Sequence, residues 1–535
     1  MLHESKLRLF FIIFLLMNLC AAQDAPYLPN AADRVLLFNQ VVSEINRLDG
    51  EGLIPRINRP ESWAETTAHL SNEARDANTL FEFGRIFKRL DATYPNLHAR
   101  IHLHKLLDIV KSEGALNFKF AVVPDLKNSE PLNYDYFIKT KEIASELKDG
   151  DQVLAINEKS IKSLEDMNFL FCKFPLKSQC ALDLFSNLKK EILSWTRQQP
   201  LELTVKRKNT EIKIKATYDI LPLNNPPSYD PDPTCEEQEP LYQPFRLDFK
   251  GYNLCAYTSK KYPQTLVLRI KSFVYGSDDP ISSLASEVDL FWVNYWGKKS
   301  GQIQTIIFDV VDNHGGNSPI PYYGLFTRNS YQEQYAQFRK IKEFERKDIL
   351  ESNFWGDKAK EVWLQNIKKD GTYEKIKEGD FLPAVPQFCA DQKKDCREGL
   401  FQPRKHKFIG KIKILMNQGT VSSGVGFVDN MTKLFKNKVK TYGHYDSADS
   451  AYSRATVSAS LKNGKPQVDI LPLSKAKKPD QPEPWVRQIV SVTRTTDSKG
   501  NIISGKVQNI DHWIPRPWNQ SDDEWHREVF VQALK

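Results

Sequence analysis

Hydrophobic periodicity divides the chain into a helical start, a strand-rich middle and a second half in which strands and helices alternate. Between residues 23 and 90, apolar side chains recur every three or four positions, which predicts amphipathic helices that pack on a later part of the chain. Alternating apolar positions predict strands between about residues 105 and 220. From Thr265 onwards a strand, a helix and a buried strand follow with short connections, which predicts an α/β core.

The period changes from helical to strand-like in the segment TYPNLHARIHLH. A strand over residues 97–104 would bury its apolar side chains on one face and carry His98, His102 and His104 on the other. Neutral imidazoles bind zinc, so a zinc-dependent hydrolase is one hypothesis for these residues. No carboxylate or cysteine close by completes such a site. We therefore predict no metal and no other cofactor.

The segment Lys411–Phe435 predicts a buried strand, a turn of small residues and a helix. Such a turn can lift one hydroxyl clear of the sheet while the N–H groups of the helix start point the same way, which is the geometry of acyl transfer. The candidate nucleophile is Ser422. The alternative is that the serines of this turn only cap the helix.

Composition predicts the cellular location and excludes one class of partner. Basic residues precede the apolar run Leu9–Met17, and small residues follow it, which predicts a signal peptide over residues 1–22; a lipid anchor on Cys20 is the alternative. No second membrane span is predicted, so the expected location is secreted or periplasmic. The net charge of +8 is spread along the chain without a basic block, so we predict no nucleic-acid partner.

The cysteines that remain after removal of the signal peptide fall into sequence-local pairs. No Cys-x-x-Cys motif is present, and disulfides in an oxidising compartment explain the spacing better than metal binding does. The predicted bonds join Cys172 to Cys180, Cys235 to Cys255, and Cys389 to Cys396.

The middle of the chain resembles a PDZ domain. The segment Glu146–Met167 is similar to the Gly-Asp-strand-Asn-Gly hairpin of that fold, with Glu158 in place of the usual glycine, and Leu201–Tyr218 supplies two further strands. A PDZ-like domain takes an extended peptide onto a sheet edge, although a purely structural role is equally open.

These patterns predict the domain organisation of the whole chain. A helical region over residues 23–97 precedes the PDZ-like domain, 98–220, which begins with His98. A linker rich in proline and acid, 221–244, leads to the core, 245–535. Residues 330–405 form an insertion in this core, which we interpret as a lid or a partner surface.

Two motifs in the second half carry a resemblance to a known family. The first is Asp309-x-x-x-Asn313-x-Gly315-Gly316, and the second is Asn417-x-Gly419-Thr420-x-Ser422-Ser423. They resemble the tail-specific, or C-terminal-processing, serine peptidases. The resemblance implies an α/β, crotonase-like spiral of ββα units with a PDZ-like domain. It also implies Ser422 as nucleophile and an oxyanion hole made by the N–H groups of Gly315 or Gly316 with Ser423.

The chain departs from the Ser-Lys members of this family because no lysine lies between Thr441 and Leu461. A serine without a base is a poor nucleophile. The branch that resembles chlamydial protease-like activity factor and tricorn protease uses a histidine placed before the PDZ-like domain and a glutamate placed after the nucleophile. Similarity to it implies His98 as the base and Glu483 as the acid, with Asp480 second for the acid. His102, His104 and His444 are substitutes for the base.

The sequence thus supports a secreted serine endopeptidase that acts on polypeptides. The alternative is a binding or scaffold protein that keeps the fold without catalysis. Its supporting features are the absent lysine, Val425 at the position of the family's glutamate, and Asp312 and His314 within the glycine turn. The sequence leaves open whether the chain forms a homo-oligomer.

Overall fold

The structure is a computed structural model of the chain. It describes residues 28–50, 62–94, 96, 98–99, 101–103, 112–116, 119–124, 134–140, 146–174, 179–181, 184, 201–216, 218–222, 235–236, 239–274, 280–327, 334–354, 358–387, 408–447, 454–472, 484–497, 499–502 and 508–535. The predicted signal peptide and five predicted site residues lie outside these ranges: His104, Cys389, Cys396, Asp480 and Glu483.

Three helices open the described chain, as the periodicity predicts. Polar side chains begin each one, since Asn30, Ser62 and Thr79 accept hydrogen bonds from the first-turn backbone. The next element is a very short strand, which corrects the strand predicted over residues 97–104. These elements are α1 (Ala31–Leu48), α2 (Trp63–Asp76), α3 (Leu80–Thr93) and β1 (Ile101–His102).

Antiparallel strands fill the middle of the chain, again as predicted. A tight turn at Asn157 and Glu158, both with positive φ, reverses the chain between β5 and β6. The elements are β2 (Ser112–Leu116), β3 (Lys119–Pro124), β4 (Tyr134–Lys139), β5 (Gln152–Ile156), β6 (Lys159–Ser160), α4 (Ile161–Phe169), β7 (Leu201–Arg207), β8 (Thr210–Ala216) and β9 (Tyr218–Pro222).

The second half follows the predicted alternation of strand and helix. A π-turn at Trp292–Trp296 extends helix α5. The elements up to the first motif are β10 (Arg246–Lys250), β11 (Leu254–Thr258), β12 (Thr265–Ile270), α5 (Pro280–Phe291), α6 (Gly297–Lys299), β13 (Thr305–Asp309) and α7 (Ile320–Tyr323).

The remaining elements run from the predicted insertion to the C-terminal helix. They are β14 (Tyr335–Phe338), α8 (Lys347–Phe354), α9 (Lys358–Lys369), α10 (Thr372–Lys375), β15 (Val385–Pro386), β16 (Lys411–Met416), α11 (Ser423–Phe435), β17 (Val439–Gly443), β18 (Arg454–Lys462), β19 (Lys465–Pro472), β20 (Val486–Ser491), β21 (Thr493–Thr496), β22 (His512–Trp513) and α12 (Asp522–Leu534).

The largest sheet is mixed and carries both motifs. Its order is β10-β11-β12-β13-β16-β17-β22, with parallel pairing from β12 onwards. One face packs against α5 and α11, and the other packs against α12. The nearly continuous apolar runs of β13 and β16 follow from burial on both faces. The overall class is therefore mixed α/β, as predicted.

Smaller sheets surround this core. Strands β3 to β8 form an antiparallel sheet, and β1-β20-β18-β19 form another. The second of these sheets shares one hydrophobic core with helices α1 to α3 and with α8 and α9 of the predicted insertion. The predicted packing of the N-terminal helices on a later part of the chain is thus confirmed.

Two of the predicted disulfides are present among the described residues. Cys172 is bonded to Cys180, and Cys235 is bonded to Cys255. Within the described ranges, no helix is both long enough and apolar enough to cross a bilayer.

Candidate active site

Strands β13 and β16 bring the two sequence motifs together. They pair in parallel, with Asp309 opposite Leu415, so both following loops leave the same edge of the sheet. The loops are tied to each other by side chains. The N–H of Asp312 donates to Asn417 Oδ1 at 2.9 Å, and Asn417 Nδ2 donates to Asp312 Oδ1 at 2.8 Å.

Asn313 shapes the glycine turn from within. Its side chain is buried, and Nδ2 donates to the carbonyl of Ile270 at 2.9 Å. Its Oδ1 accepts from the Gly315 N–H at 2.9 Å, and its backbone carbonyl accepts from Val421 N–H at 3.0 Å. A single asparagine therefore connects strand β12, the glycine turn and the segment before Ser422.

Both glycines of the turn are required by φ and by space. Gly315 has φ +81°, and a Cβ there would lie 2.7 Å from Ser422 Cβ. Gly316 has φ +130°, and a Cβ there would lie 2.5 Å from the carbonyl carbon of Phe273. Because neither position accepts a side chain, the glycine backbone approaches Ser422 directly.

Ser422 stands at the sharp turn between strand and helix. Its φ of 53° and ψ of −124° are rarely adopted by a non-glycine residue, and the next residue begins α11. Its side chain does not cap the helix. Instead, Ser422 Oγ lies 3.1 Å from His98 Nε2.

His98 reaches this hydroxyl from a turn that follows α3. Asn96 Oδ1 accepts from the N–H groups of His98 and Ala99 at 2.7 and 3.0 Å, which is an Asx turn. Ala99 and Ile101 are buried, as the predicted alternation requires. His98 precedes β1, however, because the Asx turn takes its backbone out of the strand.

The backbone N–H groups beside Ser422 differ in whether they have a hydrogen-bond acceptor. The Gly315 N–H is engaged by Asn313, whereas no described residue accepts from the N–H of Gly316 or of Ser423. Ser423 Oγ donates to the Gly316 carbonyl at 2.9 Å, which ties the helix start to the glycine turn. The start of α11 also contributes the positive end of its dipole here.

The other predicted histidines have different surroundings. His102 is exposed on β1, opposite Arg487. His444 is partly buried between the rings of Trp513 and Trp525, with a ring nitrogen 2.9 Å from the Ile514 carbonyl. The loss of solvation there lowers the pKa of His444 to about 4. The described residues contain no cluster of three His, Cys, Asp or Glu side chains suited to a metal ion.

Asp309 of the first motif is buried on the opposite side of the sheet from α11. It accepts from Arg269 at 2.6 Å and from Tyr242, and it lies 2.7 Å from His526 Nε2 on α12. Burial alone would raise the pKa of Asp309, but Arg269 and these hydrogen bonds hold it well below its usual range. This carboxylate anchors the C-terminal helix to strand β13.

Sequence reasoning did not assign roles to Asn96, Asn313 or His526. The Asn two positions before His98 is an Asx-turn signal and could have identified the first. Nothing in the local sequence links His526 to Asp309.

The sequence matches no protein-family model and no curated protein. Solved structures do match. Mature CPAF complexed with lactacystin is 11% identical, with a TM-score of 0.57 over 94% of this chain and 97% of that one. Mature CPAF alone gives 11% identity and a TM-score of 0.54, covering 94% and 96% of the two chains.

A more distant match is the photosystem II D1 C-terminal processing protease. It is 10% identical and covers 94% of this chain and 98% of its own, but with a TM-score of only 0.34. We therefore draw the fold comparison from CPAF. The resemblance that the two motifs predict is confirmed at the level of the fold: the chain has the mixed α/β fold of mature CPAF.

Proposed function

We propose that the protein is a serine peptidase with Ser422 as nucleophile and His98 as base. The observation that carries this proposal is the 3.1 Å separation of His98 Nε2 and Ser422 Oγ. These residues are far apart in the sequence, and packing alone gives no reason to bring an imidazole to a strained serine.

The proposed reaction is acyl transfer. In the tautomer with its proton on Nδ1, His98 accepts the Ser422 proton through Nε2 while Oγ attacks the carbonyl carbon of a peptide bond. The imidazolium then gives that proton to the departing amine. Water, activated by the same imidazole, hydrolyses the acyl-enzyme and restores Ser422.

The oxyanion would be held by backbone N–H groups. The Ser423 N–H at the start of α11 and the Gly316 N–H are the donors we assign, since Asn313 already uses the Gly315 N–H. The closeness of Gly315 to Ser422 supports this geometry, because it brings the glycine turn against the nucleophile.

Glu483 remains the carboxylate that we assign to orient His98, with Asp480 second. Both residues lie outside the described ranges, so the assignment rests on the resemblance. The carboxylate would stabilise the imidazolium that forms in the reaction.

The substrates would be polypeptides, bound in extended form. We assign strands β3 to β8 to a PDZ-like domain, 98–220, and the mixed sheet to a crotonase-like core, 245–535, with the insertion over 330–405. The tight turn between β5 and β6 supports the first assignment. The two disulfides support a secreted or periplasmic location.

A fluorophosphonate probe tests this function. We expect the folded protein to be labelled and Ser422→Ala to lose labelling entirely. His98→Ala should lower the labelling rate by at least about 100-fold, because a positioned general base contributes that much. His102→Ala is the matched control and should label within about 2-fold of the wild type, since His102 is exposed on β1.

Absence of labelling in the folded wild-type protein would refute the peptidase and favour the inactive scaffold. Loss of labelling in His102→Ala with full labelling in His98→Ala would mean that the base is wrongly assigned.

A further inference from the structure

The residues next to one disulfide bond contact both halves of the candidate site. Cys172 and Cys180, both buried, are bonded with their Cα atoms 5.6 Å apart. Asn168 of helix α4 donates to the Cys180 carbonyl at 2.9 Å, which fixes Cys180 to that helix. The disulfide therefore holds the neighbouring residues, Lys173 and Gln179, close to each other.

Lys173 contacts the turn that carries His98. Its ammonium group donates to the Ala99 carbonyl, next to His98, and to Asp91 Oδ1 at 2.8 Å. It also lies 5.9 Å from the ring centroid of Tyr94. One cation thus ties the end of α3 to the backbone on the far side of His98.

Asp91 is a strong partner for this cation. Burial is the largest single influence and would raise the pKa of Asp91, but the charge and hydrogen bond of Lys173, together with Lys88 and Gln488, outweigh it, so the pKa of Asp91 is lowered. The carboxylate is therefore ionised at neutral pH and keeps Lys173 in place.

Gln179 contacts the side of the site that carries Ser422. This residue is 2% exposed, its Nε2 donates to the Asp446 carbonyl, and its own carbonyl accepts from Gln418 Nε2 at 3.3 Å. Ser447 follows Asp446 in the chain. Its N–H donates to the Thr420 carbonyl at 3.1 Å, and its hydroxyl donates to the Gln418 carbonyl. These contacts connect Gln179 to the turn that presents Ser422.

We propose that Lys173 and Gln179, held together by the Cys172–Cys180 disulfide, are positioning residues that keep His98 at hydrogen-bonding distance from Ser422. This inference rests on the proposed function. The two site residues are separated by 324 positions, so their alignment depends on contacts between segments. A misplacement of about 1 Å can cost about 100-fold in rate.

The labelling rate measured over a range of pH tests the role of Lys173. Lys173→Met should lower the plateau rate by about 10- to 100-fold. It should also raise the pH midpoint of the profile, because it removes a positive charge that lies beside the turn carrying His98 and that disfavours a protonated imidazole. Lys173→Arg keeps the charge and the donors, so it should recover to within about 3-fold of the wild type.

Lys340→Met is the matched control. Like Lys173, Lys340 donates from its ammonium to backbone carbonyl oxygen, in this case to two carbonyls, and lies near a tyrosine ring, 4.1 Å from the centroid of Tyr373. It should leave the plateau and the midpoint unchanged. Gln179→Ala should lower the plateau by about 10-fold without moving the midpoint, because it removes no charge.

Amide hydrogen exchange keeps the inference testable if the wild-type protein is not labelled. Lys173→Met should accelerate exchange of the His98 and Ala99 amides by about 10-fold or more, and Gln179→Ala should do so around Gln418 to Ser423. If the wild-type protein is not labelled but the exchange rates change in this way, the peptidase is refuted and the positioning role of Lys173 and Gln179 stands. If the labelling rates and the amide exchange rates of Lys173→Met and Gln179→Ala both stay within about 2-fold of those of Lys340→Met, the positioning role is overturned.

Discussion

Ser422 is kept in a backbone conformation that costs free energy. Its φ of 53° and ψ of −124° carry a penalty of about 1–3 kcal/mol for a residue with a Cβ. The side chain does not cap α11, so the cost is not offset by a helix cap. The conformation instead places the Ser422 hydroxyl 3.1 Å from His98 Nε2.

Gly315→Ala tests whether the close approach of the glycine turn matters for chemistry. Gly315 and Gly371 have similar φ values, +81° and +75°, but only at Gly315 would a Cβ meet other atoms, since nothing lies within 4 Å at Gly371. Each substitution should cost about 1 kcal/mol of folding free energy from φ alone. We expect Gly315→Ala to reduce fluorophosphonate labelling by at least about 10-fold and Gly371→Ala to leave it unchanged. Equal labelling rates in the two variants would contradict the expectation.

His444 makes stability depend on pH. Its folded pKa of about 4 lies below the ordinary value of 6.5, so the unfolded chain binds a proton more readily. The contribution is fully present above pH 6.5 and is lost as pH falls towards 4, by on the order of 3 kcal/mol.

Urea unfolding at pH 7 and at pH 4.5 measures this effect. His444→Phe cannot take up a proton, so it should lose less stability than the wild type between the two pH values. His102→Phe, at an exposed position, is the control and should behave as the wild type does. An unchanged pH dependence in His444→Phe would show that another group is responsible.

At this scale the sequence predicts the turns that carry Ser422 and the glycines better than the contacts that support them. Ser422, Gly315 and Gly316 follow from local motifs, because a strand that ends in small residues has few uses other than a turn. The positions of Lys173 and Gln179 follow only from the folded path of the chain. Short-range patterns contain no information about which loop crosses between His98 and Ser422.

Among the elements, strand β13 supports both the candidate site and the C-terminal helix. Beyond its end lies the glycine turn, and its last residue, Asp309, holds helix α12 through His526. The carboxylate is completely buried and is paired with Arg269. A buried charge of this kind is costly to leave without its partner.

Asp309→Asn should lower the free energy of unfolding by about 3 kcal/mol or more, because Arg269 would keep its charge in the interior without a counter-charge. Asp248→Asn is the control: Asp248 is exposed and pairs with Lys299 at 2.6 Å, so the loss there should be below about 1 kcal/mol. Denaturant unfolding of both variants measures the difference, and similar losses would contradict the assignment of Asp309 as an anchor.

The hydrophobic pattern predicts most elements well but misjudges where they start and end. Strand β13 and strand β5, which follows Gly150, lie where the apolar runs place them. The strand predicted over residues 97–104 is reduced to Ile101–His102 in the described chain. The cause is Asn96, whose side chain competes for the backbone N–H groups of the next residues.

On the scale of the molecule, the N-terminal helices are part of the structure that holds the site. Phe38 of α1 is completely buried in the core that also contains Ala99, Val457 and Val490. The turn that carries His98 is therefore anchored, through Ala99, in a core made of segments from both ends of the described chain. Periodicity predicts that these helices have a buried face, but it cannot name the surface that covers it.

Phe38→Ala should destabilise the protein by about 3–5 kcal/mol, since it removes a fully buried ring. Leu36→Ala on the same helix is the control: Leu36 is 47% exposed, so the cost should be below about 1 kcal/mol. Fluorophosphonate labelling in increasing urea should fail at a lower concentration in Phe38→Ala only. Coincident midpoints for the two variants would show that α1 does not support the site.

The pairing of Ile101 with Gln488 has a consequence for synthesis. A ribosome releases the first of these strands long before the second, so the turn that carries the imidazole has no partner strand while most of the chain is still being translated. The strand that supports the His98 turn is therefore completed late, and translation products that stop before residue 486 contain both His98 and Ser422 without the strand that pairs with Ile101.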